Sequence, residues 1–170
     1  MLDLHAPIEP ASSAAGFRIG QRFSDLNAAF VGAHVVEYYE GFNLNRALNE
    51  NTGVLVVSRF GVGAGCSVYF GPQTVRLVFS DNKVLGCIYL FDGYLGVYRG
   101  TPIGAPLSSI SAVEPISFDE GDEMYYRVDP SGEYLQGLSI VAAKANFVEH
   151  ERTLIHGYCV HDWSIFRSRA

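Results

Sequence analysis

The sequence predicts an α+β domain, a mainly antiparallel β-sheet carrying a few short helices. Three observations carry that prediction. Eighteen glycines punctuate short runs of β-branched and aromatic residues, the pattern of strands joined by tight turns. Helix signals are few and brief. Residues that are 48% hydrophobic, 13% aromatic and only 18% charged supply far more core-forming side chain than a disordered chain carries. At 170 residues the chain has about the size of one domain, and a fold of that length hides roughly 70% of the surface its unfolded form exposes. The expected layout is a flexible polar arm over residues 1–15 and a single domain over 16–170.

The elements follow in order. Ser24 is placed to cap a turn in which Leu26, Ala29 and Phe30 fall at helical spacing, with Asp25 at the positive end of its dipole. A second short helix is expected from Asn43 through Leu44, Ala47 and Leu48. Strands are expected over 54–60, 66–70, 74–80 and 84–91. In the third of these Val75, Leu77 and Phe79 alternate with Thr74, Arg76 and Val78, so one face is covered and the other partly wet. In 84–91 both alternating faces are apolar, which predicts a central strand. Ser80-Asp81-Asn82-Lys83 tolerates left-handed or side-chain-bonded backbone and makes the pair a hairpin. A third helix over 108–113 ends at Glu114-Pro115, because the residue before proline disfavours the helical region. The remaining strands are expected over 124–128, 134–142 and 154–160.

A repeat runs through this order. Gly16-x-x-Ile19-Gly20-x-x-Phe23-Ser24-x-Leu26 recurs as Gly100-x-x-Ile103-Gly104-x-x-Leu107-Ser108-x-Ile110. Each reads as a buried isoleucine, a glycine turn, an apolar residue before a cap and a serine opening a short helix. The hairpin over 79–88 resembles the segment over 128–138. Together they suggest a duplicated helix-plus-hairpin unit, with pseudo-repeats over 16–99 and 100–170.

The charge balance sorts the partners. Twelve basic against eighteen acidic residues give a formal charge of -6, the wrong sign for neutralising phosphates, so direct nucleic-acid binding is not expected. A basic protein partner suits it better, since opposite net charges steer association. Cys66, Cys87 and Cys159 are an odd, scattered set in apolar surroundings, which reads as buried free thiols in a reducing cytoplasm. The opening residues carry neither a basic cluster nor an apolar run of the length a signal peptide or membrane helix needs, so a cytoplasmic protein without membrane attachment is expected.

No segment announces catalysis, a metal or a cofactor, and none of the three is expected. Gly61-Val62-Gly63-Ala64-Gly65 is followed by strand rather than by the helix a phosphate loop requires, so it reads as a turn. His150, His156, His161, Cys159 and Asp162 crowd the last stretch, but spacings of six and five put no two imidazoles on one helical face. On a strand His156 and His161 point to opposite faces. Trp163 reads as a core or lid residue.

The surface candidates are acidic and aromatic. Asp119-Glu120-Gly121-Asp122-Glu123, followed by Tyr125 and Tyr126, packs four carboxylates into five positions, where they stay hydrated or meet cations. Asp92 and Tyr94 form a second such patch and Glu37-Tyr38-Tyr39-Glu40 a third. Tyr94, Tyr125 and Tyr126 are the expected anchors of an interface. Asp92, Asp119, Glu120, Asp122 and Glu123 are its expected steering charges.

The repeated glycine-isoleucine-glycine motif with its helix and hairpin resembles small bacterial inhibitor proteins: immunity proteins of contact-dependent and type VI toxin systems, and the tandem-repeat β-lactamase inhibitory proteins. The resemblance covers about a third of the chain and transfers no catalytic residue. The disulfides of the β-lactamase inhibitors have no counterparts here. It implies a cytoplasmic protein, monomer or homodimer, that occludes a basic cognate toxin with an acidic, aromatic face. The alternative is a small-ligand-binding or enzymatic α+β domain that uses His156, His161 and Asp162.

Overall fold

The computed structural model describes residues 1–59 and 65–167, so most of the glycine run beginning at Gly61 lies outside the described residues. A two-residue ladder joins β1 (Ser13–Ala14) to β2 (Phe17–Arg18). The main strands are β3 (His34–Glu37), β4 (Val54–Ser58), β5 (Cys66–Phe70), β6 (Val75–Phe79), β7 (Leu85–Leu90), β8 (Ile116–Asp119), β9 (Met124–Val128), β10 (Tyr134–Ala142) and β11 (Ile155–His161). They form one nine-stranded sheet in the order β3-β4-β5-β6-β7-β11-β10-β9-β8. The sheet is mixed, where only antiparallel pairing had a signal in the sequence: β3 runs parallel to β4, while the other neighbours run antiparallel. A parallel pair needs a crossover of roughly a dozen residues. Residues 38–53, holding the helix α1 (Leu44–Glu50), supply it.

The remaining helical pieces are short: 3₁₀ turns Phe23–Phe30, Phe147–Glu151 and Trp163–Phe166, and α2 (Ser108–Ser111). Asn43 opens α1 by accepting the Arg46 backbone N–H at 2.9 Å. Ser24 does not act as a cap; its hydroxyl donates to Asp25, and no side chain closes the start of that turn.

Strand alternation divides the core between the two faces of the sheet. The larger face gathers Val56, Val68, Leu77, Ile88, Leu138 and Val160 against the amino-terminal segment, the first 3₁₀ turn and α2, through Phe17, Phe30, Leu107 and Ile110. On the opposite face α1 covers one end, where Leu48 meets Leu55, Val57 and Tyr69. Cys87, Cys159, Met124 and Tyr126 lie further along that face with Trp163 against them. Central β7 is buried on both sides, as its sequence predicts.

The strand order places two four-stranded meanders, β4 to β7 and β8 to β11, side by side through their last strands. The two glycine motifs dock on those last strands in the same way. Gly20 donates to Leu85 O and Gly104 to Ile155 O, both at 2.8 Å. Phe23 donates to Lys83 O and Leu107 to Thr153 O, at 2.9 and 2.7 Å. Gly16, Gly20, Gly100 and Gly104 all have positive φ, between +78° and +87°, a region that favours glycine. Even the bulges match: Gly86 in β7 and His156 in β11 are each the residue skipped in pairing with the preceding strand. The turns at 80–83 and 129–132 share a bonding pattern but join β6 to β7 and β9 to β10, which hold different places in this order.

Residues 1–15 are docked, not a loose arm. Ile8 and Ala15 are buried, Ile8 N–H donates to Val97 O, Ala11 N–H to Gly137 O, and Leu4 O accepts from Leu95 and Gly96. A segment whose backbone groups are paired with the rest of the chain belongs to the domain.

Candidate functional site

The acidic segment turns the chain from β8 into β9. Asp119 Oδ1 accepts the backbone N–H groups of Gly121 and Asp122, both at 2.9 Å, which folds the loop over its first carboxylate. Glu120, Asp122 and Glu123 are exposed and Asp119 is half-buried. Lys144 pairs with Glu120. Asp92 is exposed after β7, and no described contact joins it to this loop.

The three expected anchors are buried, which corrects their reading as partner-facing side chains. Tyr94 is 4% exposed; its hydroxyl donates to Ala6 O at 2.6 Å and accepts the Ala15 N–H at 3.1 Å, tying down the amino-terminal segment. Tyr125 is 2% exposed on the helix-covered face, packed edge-on to Phe118 and His150, and its hydroxyl accepts the Ala145 N–H at 2.8 Å. Tyr126, one residue on, faces the other side of the sheet at 5% exposure. Sequence shows that a tyrosine has an apolar body and a polar tip, but not which way its strand face turns.

Tyr126 does reach a site. A pocket of about 160 Å³ opens where the acidic loop meets β9, β10 and β11. Asp119 and Asp122 stand in its lining, as do Leu135 and Gln136 of β10. Tyr126, Tyr134 and Trp163 supply aromatic wall; the two tyrosine rings are 5.2 Å apart. The Tyr126 hydroxyl donates to Asp122 Oδ2 at 2.5 Å. His161 completes the lining, stacked on Trp163 at 4.5 Å and set at 68° to the Tyr126 ring. It is fully buried, and neither ring nitrogen has a hydrogen-bond partner. Burial pulls its pKa down to about 4, against the opposing pull of Asp122 and Asp162 and with a smaller downward push from Arg127. The imidazole is therefore neutral at pH 7, with one donor and one acceptor nitrogen. Burial and the bond to Asp122 raise the Tyr126 phenol well above its ordinary value, so it stays a donor.

The other carboxy-terminal groups do not converge here. His156 is exposed; His150 is buried beside Ser111 at 3.2 Å; Asp162 Oδ1 is taken by the Ser164 N–H and hydroxyl at 2.9 and 2.6 Å. Among the described residues no cluster of three His, Cys, Asp or Glu side chains is arranged to hold a metal. The cysteines are buried free thiols, and burial beside Cys159 raises the Cys87 thiol, which disfavours a nucleophilic role. In a larger hollow of about 380 Å³ beside α1, Glu50 is engaged by Arg46 and Asn51 by Gly71 O, and His34 and Thr52 complete the polar lining.

Sequence reasoning named Asp119, Asp122, Tyr126 and His161, but in two rival readings. It missed Tyr134 and Gln136, and it gave Trp163 no part in a site. The one available signal was the alternation that puts Trp163 on the His161 side of the chain.

Among the described residues no helix is long and apolar enough to cross a membrane. No family model matches the chain, and no curated protein or solved structure is detectably similar to it.

Proposed function

We propose that this chain is a non-catalytic, cytoplasmic inhibitor of the immunity-protein kind, which docks on a basic toxin through the acidic end of its sheet. The observation that carries the reading is the placement of Asp119 and Asp122 in the mouth of an aromatic pocket. The net charge of -6 adds long-range attraction to a basic surface. Because exposed ion pairs are worth only about 0 to 1 kcal/mol each, Glu120, Asp122 and Glu123 steer the encounter while a desolvated contact holds the complex. The burial of Tyr94 and Tyr125 moves that contact to the pocket. The repeated docking of the two glycine motifs supports a duplicated unit, in keeping with the tandem-repeat inhibitors that the sequence resembles.

The test is co-expression with the protein encoded beside it, followed by association kinetics. Reversing Asp119, Glu120, Asp122 and Glu123 together should slow association about tenfold or more at low salt and flatten its salt dependence. Unchanged kinetics would remove this end of the molecule from the interface.

A second reading, a small-ligand-binding domain, is favoured by one observation: a fully buried imidazole without partners lines a pocket. Of the three residues expected for that role, His161 alone lines the pocket.

A further inference from the structure

We infer that the pocket between β9, β10 and β11 is a receptor for a single guanidinium group, the side chain of an arginine carried by the basic partner. The inference rests on the docking reading above and names the group that enters. A pocket of about 160 Å³ is smaller than the roughly 300–1,000 Å³ that drug-sized ligands occupy, so it suits the head of one side chain. Two carboxylates line it and no lysine or arginine does. Only Oδ1 of Asp119 and Oδ2 of Asp122 are engaged by hydrogen bonds, which leaves the other oxygen of each to a cation. An anion would face both carboxylates.

The aromatic walls favour a flat, weakly hydrated cation. Guanidinium stacks on ring faces, whereas the compact ammonium of lysine holds its water more strongly. His161 selects further: a neutral imidazole buried without a partner offers one acceptor nitrogen to an entering N–H. A quaternary ammonium has no N–H to give. Unsatisfied buried groups of this kind discriminate strongly, because the wrong ligand leaves them unpaired.

The first half of the chain contains the same recognition within itself. Tyr69, Arg76, Tyr89, Cys159, Ser139 and Tyr126 lie directly opposite one another in a single row across β5, β6, β7, β11, β10 and β9. About the β7–β11 seam, Tyr69 corresponds to Tyr126 and Arg76 to Ser139. The Arg76 guanidinium lies 5.4 Å from the Tyr69 ring centre and 5.3 Å from that of Tyr89. The second half keeps the tyrosine and has Ser139, fully buried against Met124, where the first half has its arginine, so this row supplies no guanidinium of its own to the Tyr126 side.

The experiment is an NMR titration of the full chain, following the Trp163 indole N–H and the His161 ring. Probes are N-acetyl-arginine methylamide, its citrulline and lysine counterparts, tetramethylammonium and agmatine. The arginine probe should give saturable shifts at both residues, with citrulline bound roughly ten- to a hundredfold more weakly. Asp119→Asn, which leaves the Tyr126 to Asp122 bond in place, should weaken the arginine probe while the rest of the spectrum is unchanged. Equal binding of citrulline or tetramethylammonium, or no shift at either residue, would overturn the assignment. Agmatine binding more tightly than the capped arginine would assign the pocket to a free metabolite and overturn the partner's arginine as occupant. The titration needs no partner protein. Arginine binding together with loop reversals that leave the complex untouched would sink the docking reading alone, and the opposite pair of results would sink the pocket alone.

Discussion

The hydroxyl of Tyr126 donates to Asp122 Oδ2 at 2.5 Å, so a ring in the pocket wall fixes a carboxylate at its mouth. Tyr126→Phe removes that link while keeping the ring. Loss of about 1–2 kcal/mol in chemical denaturation is expected, as for a hydrogen bond to a charged acceptor. An unchanged denaturation midpoint would show that Asp122 gains as much from water.

Tyr94 has a different task, because its hydroxyl bridges Ala6 O and the Ala15 N–H. Tyr94→Phe leaves a buried donor and acceptor unpaired, at a cost of about 1–3 kcal/mol. Amide exchange over residues 2–15 should accelerate before that of the sheet. Uniform acceleration would mean that the segment and the sheet open as one unit.

Gly20 and Gly104 share a φ of +87°, and a Cβ on either meets open space. Alanine at each should therefore cost only the left-handed backbone penalty, about 1–2 kcal/mol, and a similar amount at both. Gly16→Ala should cost more, since its Cβ also collides with Met1 O. Thermal unfolding of the three variants checks the order.

His161 titrates near 4 in the folded chain, against an ordinary 6.5. Between those values the unfolded chain takes up a proton that the folded chain refuses, so stability rises with pH in that window. The contribution is complete above pH 6.5 and lost as the pH falls toward 4, on the order of 3 kcal/mol in all. Asp122, Asp162 and Arg127 are the charges that bear on it, beside the neutral Cys87 and Tyr126. Stability of His161→Gln should be flat where the parent slopes; a slope that survives the substitution belongs to another group.

Much of this fold was legible because alternation and turn chemistry are local. Val75, Leu77 and Phe79 declare their face, Ser80 to Lys83 declare a hairpin, and the two glycine motifs declare each other. The sheet edges were not legible. His34–Glu37 has no buried residue, with Val35 65% exposed, and Ile116–Asp119 is four half-buried residues, so neither carries a strong period. The parallel β3 hid behind this weakness. The pocket was harder still: Asp122 and His161 meet only because β10 aligns with both β9 and β11, a non-local fact. Tyr125 and Tyr126 look alike in sequence, and one step of strand pleat sends one into the core and the other to the site.

The seam between the meanders has a kinetic consequence. Leu90 pairs with Tyr158 and Cys87 with His161, contacts that must wait until some seventy residues beyond β7 have been made. Loops closed over such distances slow folding, and until β11 emerges from the ribosome, one edge of the apolar strand 85–90 remains a bare template for mispairing.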